Sequence, residues 1–204
     1  MTRCQKNTPL AGQTLPILIT VIISNMLKHI SFLRAINVGG HNIKMDHLRQ
    51  LFESLGFSNV ETFIASGNVI FDTKTGNTKT LEKKIETCLH EALGYEVATF
   101  IRTDAELAEI AKYMPFPQSQ LDRAVALNIG FLANALDKTS EQKLMSLQTD
   151  IDYFHVHGRE IYWLCKKKQS ESKISNVVIE KALGVKSTLR GANTVNKLAE
   201  KYCI

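Results

Sequence analysis

One order of secondary-structure elements occurs twice along this chain, and that repetition narrows the folds open to it. Apolar periodicity predicts a strand over His29–Ala35. Met45, Leu48, Leu51, Phe52 and Leu55 then recur at helical spacing, with Gly56 as the stop. A strand over Val60–Ala65, a tight turn at Ser66-Gly67-Asn68 and a strand over Val69–Asp72 form a hairpin. A helix from Lys79 to Leu93, ended by Gly94, and a strand over Glu96–Arg102 complete the first set.

The same order returns after a break. A helix over Asp104–Tyr113, with Asp104 as N-cap, leads into Met114-Pro115-Phe116-Pro117, where two prolines interrupt regular structure. Next come a strand over Ala124–Leu132, a helix over Thr139–Gln148 capped by Thr139 or Ser140, and a hairpin of Ile151–Val156 and Glu160–Cys165 turning at His157-Gly158-Arg159. A helix over Ile174–Leu183 closed by Gly184, a short strand at Ser187–Leu189 and a helix over Thr194–Lys201 finish the chain. The hairpin glycines, Gly67 and Gly158, lie 91 residues apart.

A split β-α-β unit written twice implies an α+β protein. The expected architecture is two tandem ferredoxin-like (β-α-β-β-α-β) domains with antiparallel sheets and an extra C-terminal helix. The division is an N-terminal extension at 1–28, domain one at 29–102, a link at 103–123 and domain two at 124–204.

Composition places the chain among ordinary soluble globular proteins, with 204 residues, 44% hydrophobic and 22% charged. Net charge is +5. Arg159–Ile204 holds 10 basic against 4 acidic residues, whereas Thr103–Gly158 holds 4 against 8. Such asymmetry could steer an anionic partner, or reflect a solvated lysine-rich face. Cys4, Cys88, Cys165 and Cys203 are widely spaced and contain no C-x-x-C pair, which suits reduced thiols in the cytoplasm. The apolar run Leu15–Leu27 is too short to span a bilayer, and no A-x-A cleavage site follows it. A natural start at Met26 is the favoured reading, and an export leader over residues 1–25 is the alternative.

Site reasoning centres on Ile30–Asp46, where strand, Gly39-Gly40 loop and helix start follow in immediate succession. Arg34, Asn37, His41 and Lys44 flank the glycines, whose backbone N–H groups can turn toward an anion near a helix N-terminus. The bland alternative is a sharp turn with Asn37 holding backbone and Arg34 in an ion pair. Ser66 and Asn68 in the hairpin turn, and Arg190 and Asn193 near the last helix, are further ligand candidates. The loop matches neither G-x-x-x-x-G-K-[ST] nor G-x-G-x-x-G. Gly184-Val185-Lys186-Ser187-Thr188 precedes a strand, not a helix, and so is no phosphate loop. His155 and His157 share a strand face without a third ligand, so no metal is expected, and no cofactor either. Val69-Ile70-Phe71 and Ile161-Tyr162-Trp163 lack the RNP1 pattern of RNA-binding sheets.

With F-L-R-A-I-N-V-G-G at Phe32–Gly40, S-G-N-V-I-F at Ser66–Phe71 and N-T-V-x-K-L at Asn193–Leu198, the chain resembles a bacterial family known as domain of unknown function 1697. The resemblance runs from about Met26 to the C-terminus and implies tandem ferredoxin-like domains. Members usually begin just before the first strand, which favours Met26 as the start. The family's usual R-N-W-N-T is here Arg190-Gly191-Ala192-Asn193-Thr194, lacking Asn and Trp.

The leading functional expectation is a cytoplasmic protein that binds a small anionic or phosphorylated ligand through the Gly-Gly loop. One alternative is a hydrolase or transferase using the same loop with His41 as base. Another is a nucleic-acid or protein interaction module using the basic C-terminal segment.

Overall fold

The computed structural model describes residues 26–203. The expectations for residues 1–25 therefore lie outside the described residues. The first set of elements is β1 (Leu27–Leu33), α1 (Met45–Ser54), β2 (Ser58–Phe63), β3 (Asn68–Thr73), α2 (Thr78–Leu93) and β4 (Thr99–Thr103). Two connecting helices follow, α3 (Asp104–Lys112) and a single turn, α4 (Gln118–Leu121). The second set is β5 (Ala126–Phe131), α5 (Lys138–Met145), β6 (Asp152–His157), β7 (Glu160–Cys165), a 3-10 turn (Gln169–Glu171), α6 (Asn176–Leu183) and β8 (Thr188–Gly191). Helix α7 (Ala192–Tyr202) is the last described element. Neither α4 nor the 3-10 turn has a periodic signal, since each is one turn long.

Three helix starts differ from expectation, each for a local reason. Helix α3 is capped by Thr103, not Asp104. Thr103 Oγ1 accepts from Glu106 N–H at 3.1 Å and Glu106 Oε2 accepts from Thr103 N–H at 2.9 Å. That reciprocal box satisfies two helix-end donors, whereas Asp104 reaches only the adjacent Ala105 N–H. Helix α5 is capped two or three residues earlier than expected, by Asp137, whose Oδ1 accepts from Ser140 N–H at 2.7 Å. Helix α7 begins after Gly191, so Asn193 and Thr194 lie inside its first turn.

The protein is α+β, with two four-stranded sheets ordered β2-β3-β1-β4 and β6-β7-β5-β8. Every neighbouring pair is antiparallel. The two-residue period of a strand sends alternate side chains to opposite faces, and both faces are used. On β1, Leu33 joins Val69, Phe71 and Ile101 under α1 and α2, in a core with Leu48, Phe52 and Ile85. On β7, Ile161 and Trp163 pack under α5 and α6 with Leu144 and Ile179. The opposite faces meet each other, so Ile30, Phe32, Ile70 and Phe100 share one core with Ile129, Phe131, Tyr162 and Leu164. Helices α3 and α7 pack together and complete it through Leu107, Ile110, Val195 and Leu198.

This sheet-on-sheet contact brings equivalent positions of the two halves together, in the manner of an approximate internal two-fold axis. Phe32 pairs in register with Asn68 and Phe100, and Phe131 with Glu160 and Thr188, so Phe32 and Phe131 hold the same place in their halves. Their rings stack on each other at 3.9 Å. By the same registers Asn68 corresponds to Glu160, and Arg102, opposite Ile30, corresponds to Arg190, opposite Ile129.

Candidate functional site

The β1–α1 loop is built from the inside outward. Ile36 is buried, and the side chain of Asn37 staples the loop across its width. Asn37 Oδ1 accepts from Ile43 N–H at 2.8 Å and its Nδ2 donates to Ala65 O at 3.1 Å. The His41 ring stacks on Tyr95 at 3.7 Å, and Tyr95 Oη donates to Ile36 O at 3.1 Å. Between these anchors Gly39 and Gly40 take φ of +70° and +92°, a region that disfavours any side chain, with nothing within 4 Å of where a Cβ would stand. Gly39, Gly40, His41 and Lys44 are therefore exposed at the tip. Helix α1 follows with Lys44 at its N-cap and no side chain capping it, although Asp46 already lies in its first turn. Among the described residues, the N–H groups of Met45, Asp46 and His47 donate to no protein acceptor.

The other candidates lie between the two sheets. Arg190 is 8% exposed and donates to Asn68 Oδ1 at 2.6 Å, Leu33 O at 3.0 Å and Ser66 O at 2.7 Å, all in the other half. Its remaining hydrogens reach Thr188 Oγ1 and Leu189 O. Asn68 also donates to Phe63 O and Ser66 Oγ, so the hairpin turn is closed around the arginine. Among the described residues no carboxylate faces this guanidinium, and burial pushes it down to about 10, still charged at neutral pH. Arg34 leaves the loop and forms a bidentate ion pair with Glu180, both bonds at 2.6 Å. That pair raises the arginine, and it holds Glu180 below the ordinary carboxyl value against the upward push of its own burial. Asn193 is exposed on α7, beside Leu121 and Asn128 in a shallow hollow.

Thus Ser66, Asn68 and Arg190 come together, but as a joint between the halves in which the Asn68 amide and the Arg190 guanidinium donate to protein acceptors. Arg34 serves a second joint. Arg102 carries a third that sequence reasoning missed. Its Nε donates to Glu160 Oε1 at 2.6 Å, and its Nη2 to Leu132 O at 2.9 Å and Arg159 O at 3.3 Å. Across the axis Arg190 uses the same two nitrogens in the same way, its Nε on Asn68 where Arg102 has Glu160 and its Nη2 on Leu33 O where Arg102 has Leu132 O. The signal was an arginine at the same position of T-F-I-R and S-T-L-R, Thr99–Arg102 and Ser187–Arg190.

Among the described residues no three His, Cys, Asp or Glu are grouped to hold an ion. His155 Nε2 is instead 2.8 Å from Tyr113 Oη, and His157 stacks on the Tyr113 ring. Cys88, Cys165 and Cys203 are free, and burial pushes the Cys165 thiol up to about 11, which makes it a poor nucleophile. No described helix is long and apolar enough to cross a membrane.

Residues 26–162 match the model of the family described as "Protein of unknown function (DUF1697)". The chain belongs to this family. A solved structure of a conserved bacterial protein, SP0830 from Streptococcus pneumoniae, is similar at 21% identity with a TM-score of 0.71, covering 86% of this chain and 98% of that one. The shared fold thus spans both sheets and extends past the family match. None of the curated proteins matches the chain.

Proposed function

We propose that this family member is a binding protein that seats a small anionic or phosphorylated ligand on the Gly39-Gly40 loop and the N-terminus of α1. The carrying observation is the set of first-turn N–H groups of α1 left without a side-chain cap beside Lys44. Helices α2, α3, α5 and α6 all have such a cap. Gly39, Gly40 and His41 would supply the facing wall, and Asn37 keeps the loop in shape. Arg34, Ser66, Asn68 and Arg190 belong to the frame that holds the loop, and Asn193 has no part in it. Each half is read as a ferredoxin-like unit, residues 29–102 and 124–204 joined through 103–123, a reading supported by the strand order β2-β3-β1-β4 and its repeat.

Binding ranks above catalysis because no side chain hydrogen-bonds the His41 ring among the described residues. Base stacking on the sheets, as in RNA-binding relatives of this topology, conflicts with two sheet faces buried against each other. One helix end and one lysine together supply about −4 kcal/mol, a Kd of about 1 mM. Phosphate and pyrophosphate titrations followed by amide chemical shifts suit that range. Shifts centred on Gly39–His47 are expected, weakened several-fold in Lys44→Glu and retained in a folded Arg34→Ala protein. Absence of saturable shifts in the loop, or shifts unchanged in Lys44→Glu, would end this reading.

A further inference from the structure

The internal two-fold relation is broken again beside the clamps, at Arg34 and Ala133. Arg34 follows Leu33 in the first half, whereas Ala133 follows Leu132 in the second. On the Arg34 side, Glu180 holds the Ser187 N–H at 2.7 Å through Oε1 and receives the Arg34 fork on both oxygens. Thr99 corresponds to Ser187, each lying three residues before its clamp arginine. On the Ala133 side the Thr99 N–H is likewise held by a carboxylate oxygen, Glu86 Oε1, at 2.8 Å. Among the described residues no guanidinium reaches it.

A cleft of about 660 Å³ occupies the corresponding space, between α2, β4 and the segment from Leu132 to Asp137. That size falls within the range of small-molecule sites. Its buried wall includes Glu82, 8% exposed, whose Oε1 accepts from Ile101 N–H at 2.8 Å. Glu82 Oε2 accepts from no protein group, and neither Glu82 nor Glu86 has an ion-pair partner among the described residues. Burial holds the Glu82 carboxyl above its ordinary value despite the opposing pull of Arg102 and Arg159. Lys79 and Lys83 are exposed at the rim, and Lys186 is paired with Glu96 at 2.9 Å. The cleft thus offers carboxylate oxygens inside and ammonium groups outside.

We propose that this cleft binds a small guanidinium-bearing molecule, with its planar head on Glu86 as the Arg34 head lies on Glu180. The fork geometry of a guanidinium matches a carboxylate edge in a way an ammonium point charge does not. A carboxylate tail on the same molecule would meet the rim lysines, so free arginine is the best-fitting probe. Glu82 Oε2 is positioned on the same wall to accept from the head.

The test uses the full chain with arginine, agmatine and citrulline, read by calorimetry and thermal shift. Arginine and agmatine are expected to bind, and citrulline, whose urea group carries no charge, is not. Glu86→Gln keeps an acceptor for Thr99 N–H and should weaken arginine about tenfold or more, the loss of one charge-assisted contact. Ala133→Arg should fill the cleft with the chain's own guanidinium, raising Tm and abolishing the response. Lys44→Glu, which tests the anion site, should leave it intact. No response to about 10 mM arginine or agmatine, a full response in Glu86→Gln, or a full response in folded Ala133→Arg overturns the proposal.

Discussion

Replacing either clamp arginine by methionine keeps most of the packed length and removes every donor. Arg190→Met leaves Leu33 O, Ser66 O and Asn68 Oδ1 without their partner across the joint. At about 1 kcal/mol net for each lost bond the cost is about 3 kcal/mol. Removing a buried guanidinium that faces no carboxylate returns part of that, so about 2–3 kcal/mol is expected. Arg102→Met loses the equivalent bonds and also strands Glu160, 6% exposed, without its ion-pair partner. Breaking a buried pair on one side adds to the loss, and about 4–6 kcal/mol is expected. With a urea m-value of about 2.5 kcal/mol/M, the midpoints fall by about 1 M and about 2 M respectively. Trp163, the single tryptophan, is buried in the second half and reports there, while circular dichroism reports the whole chain. Equal losses for the two variants, or a larger loss for Arg190→Met, would refute the assignment of one charged and one neutral clamp.

Three further outcomes are expected. His29 is buried in β1 with Nδ1 2.9 Å from Leu27 O and Nε2 unpartnered, and burial lowers its pKa below the ordinary 6.5. The unfolded chain therefore takes up a proton more readily than the native one, and stability is complete above pH 6.5 and declines as pH falls toward the depressed folded value. His29→Phe should flatten urea midpoints across that window, and an unchanged slope would clear the imidazole. Gly67→Ala would place a Cβ 2.7 Å from Ile36 Cγ2 at φ +73°, costing about 2–4 kcal/mol by thermal melting. Gly40→Ala, at φ +92° with open space around it, should cost only about 1 kcal/mol.

Much of the architecture was legible because it depends on local pattern. The helix stops at Gly56, Gly94 and Gly184 take left-handed φ as expected, and the turns at Gly67 and Gly158 lie between the strands they were read to join. Which face of a sheet meets which partner is not a local property. Phe32 and Phe131 read simply as apolar strand residues, and nothing in their spacing tells that they touch. The candidate ligands suffered from the same blindness. Arg34 and Arg190 have the chemistry of anion binding, but hydrogen-bond capacity is indifferent to whether a free anion or the chain's own Glu180 and carbonyl groups take it up. Glu82 and Glu86 carried no signal because two glutamates on an amphipathic helix normally face solvent. Here they cap the outer N–H groups of Ile101 and Thr99.

The stacking of two sheets across an internal axis also bears on how such a molecule can change over time. In a true homodimer every substitution appears on both sides of the axis at once. Writing both halves into one chain removes that coupling, so Asn68 can face one clamp while Glu160 faces the other, and Arg34 can seal one flank while Ala133 opens the opposite one. A single chain folded as its own partner can thus keep one flank for cohesion and release the other for a ligand. Cut between Pro115 and Pro117, each half would expose the apolar face of its sheet, and self-pairing through Phe32 or Phe131 would be its simplest means of covering it.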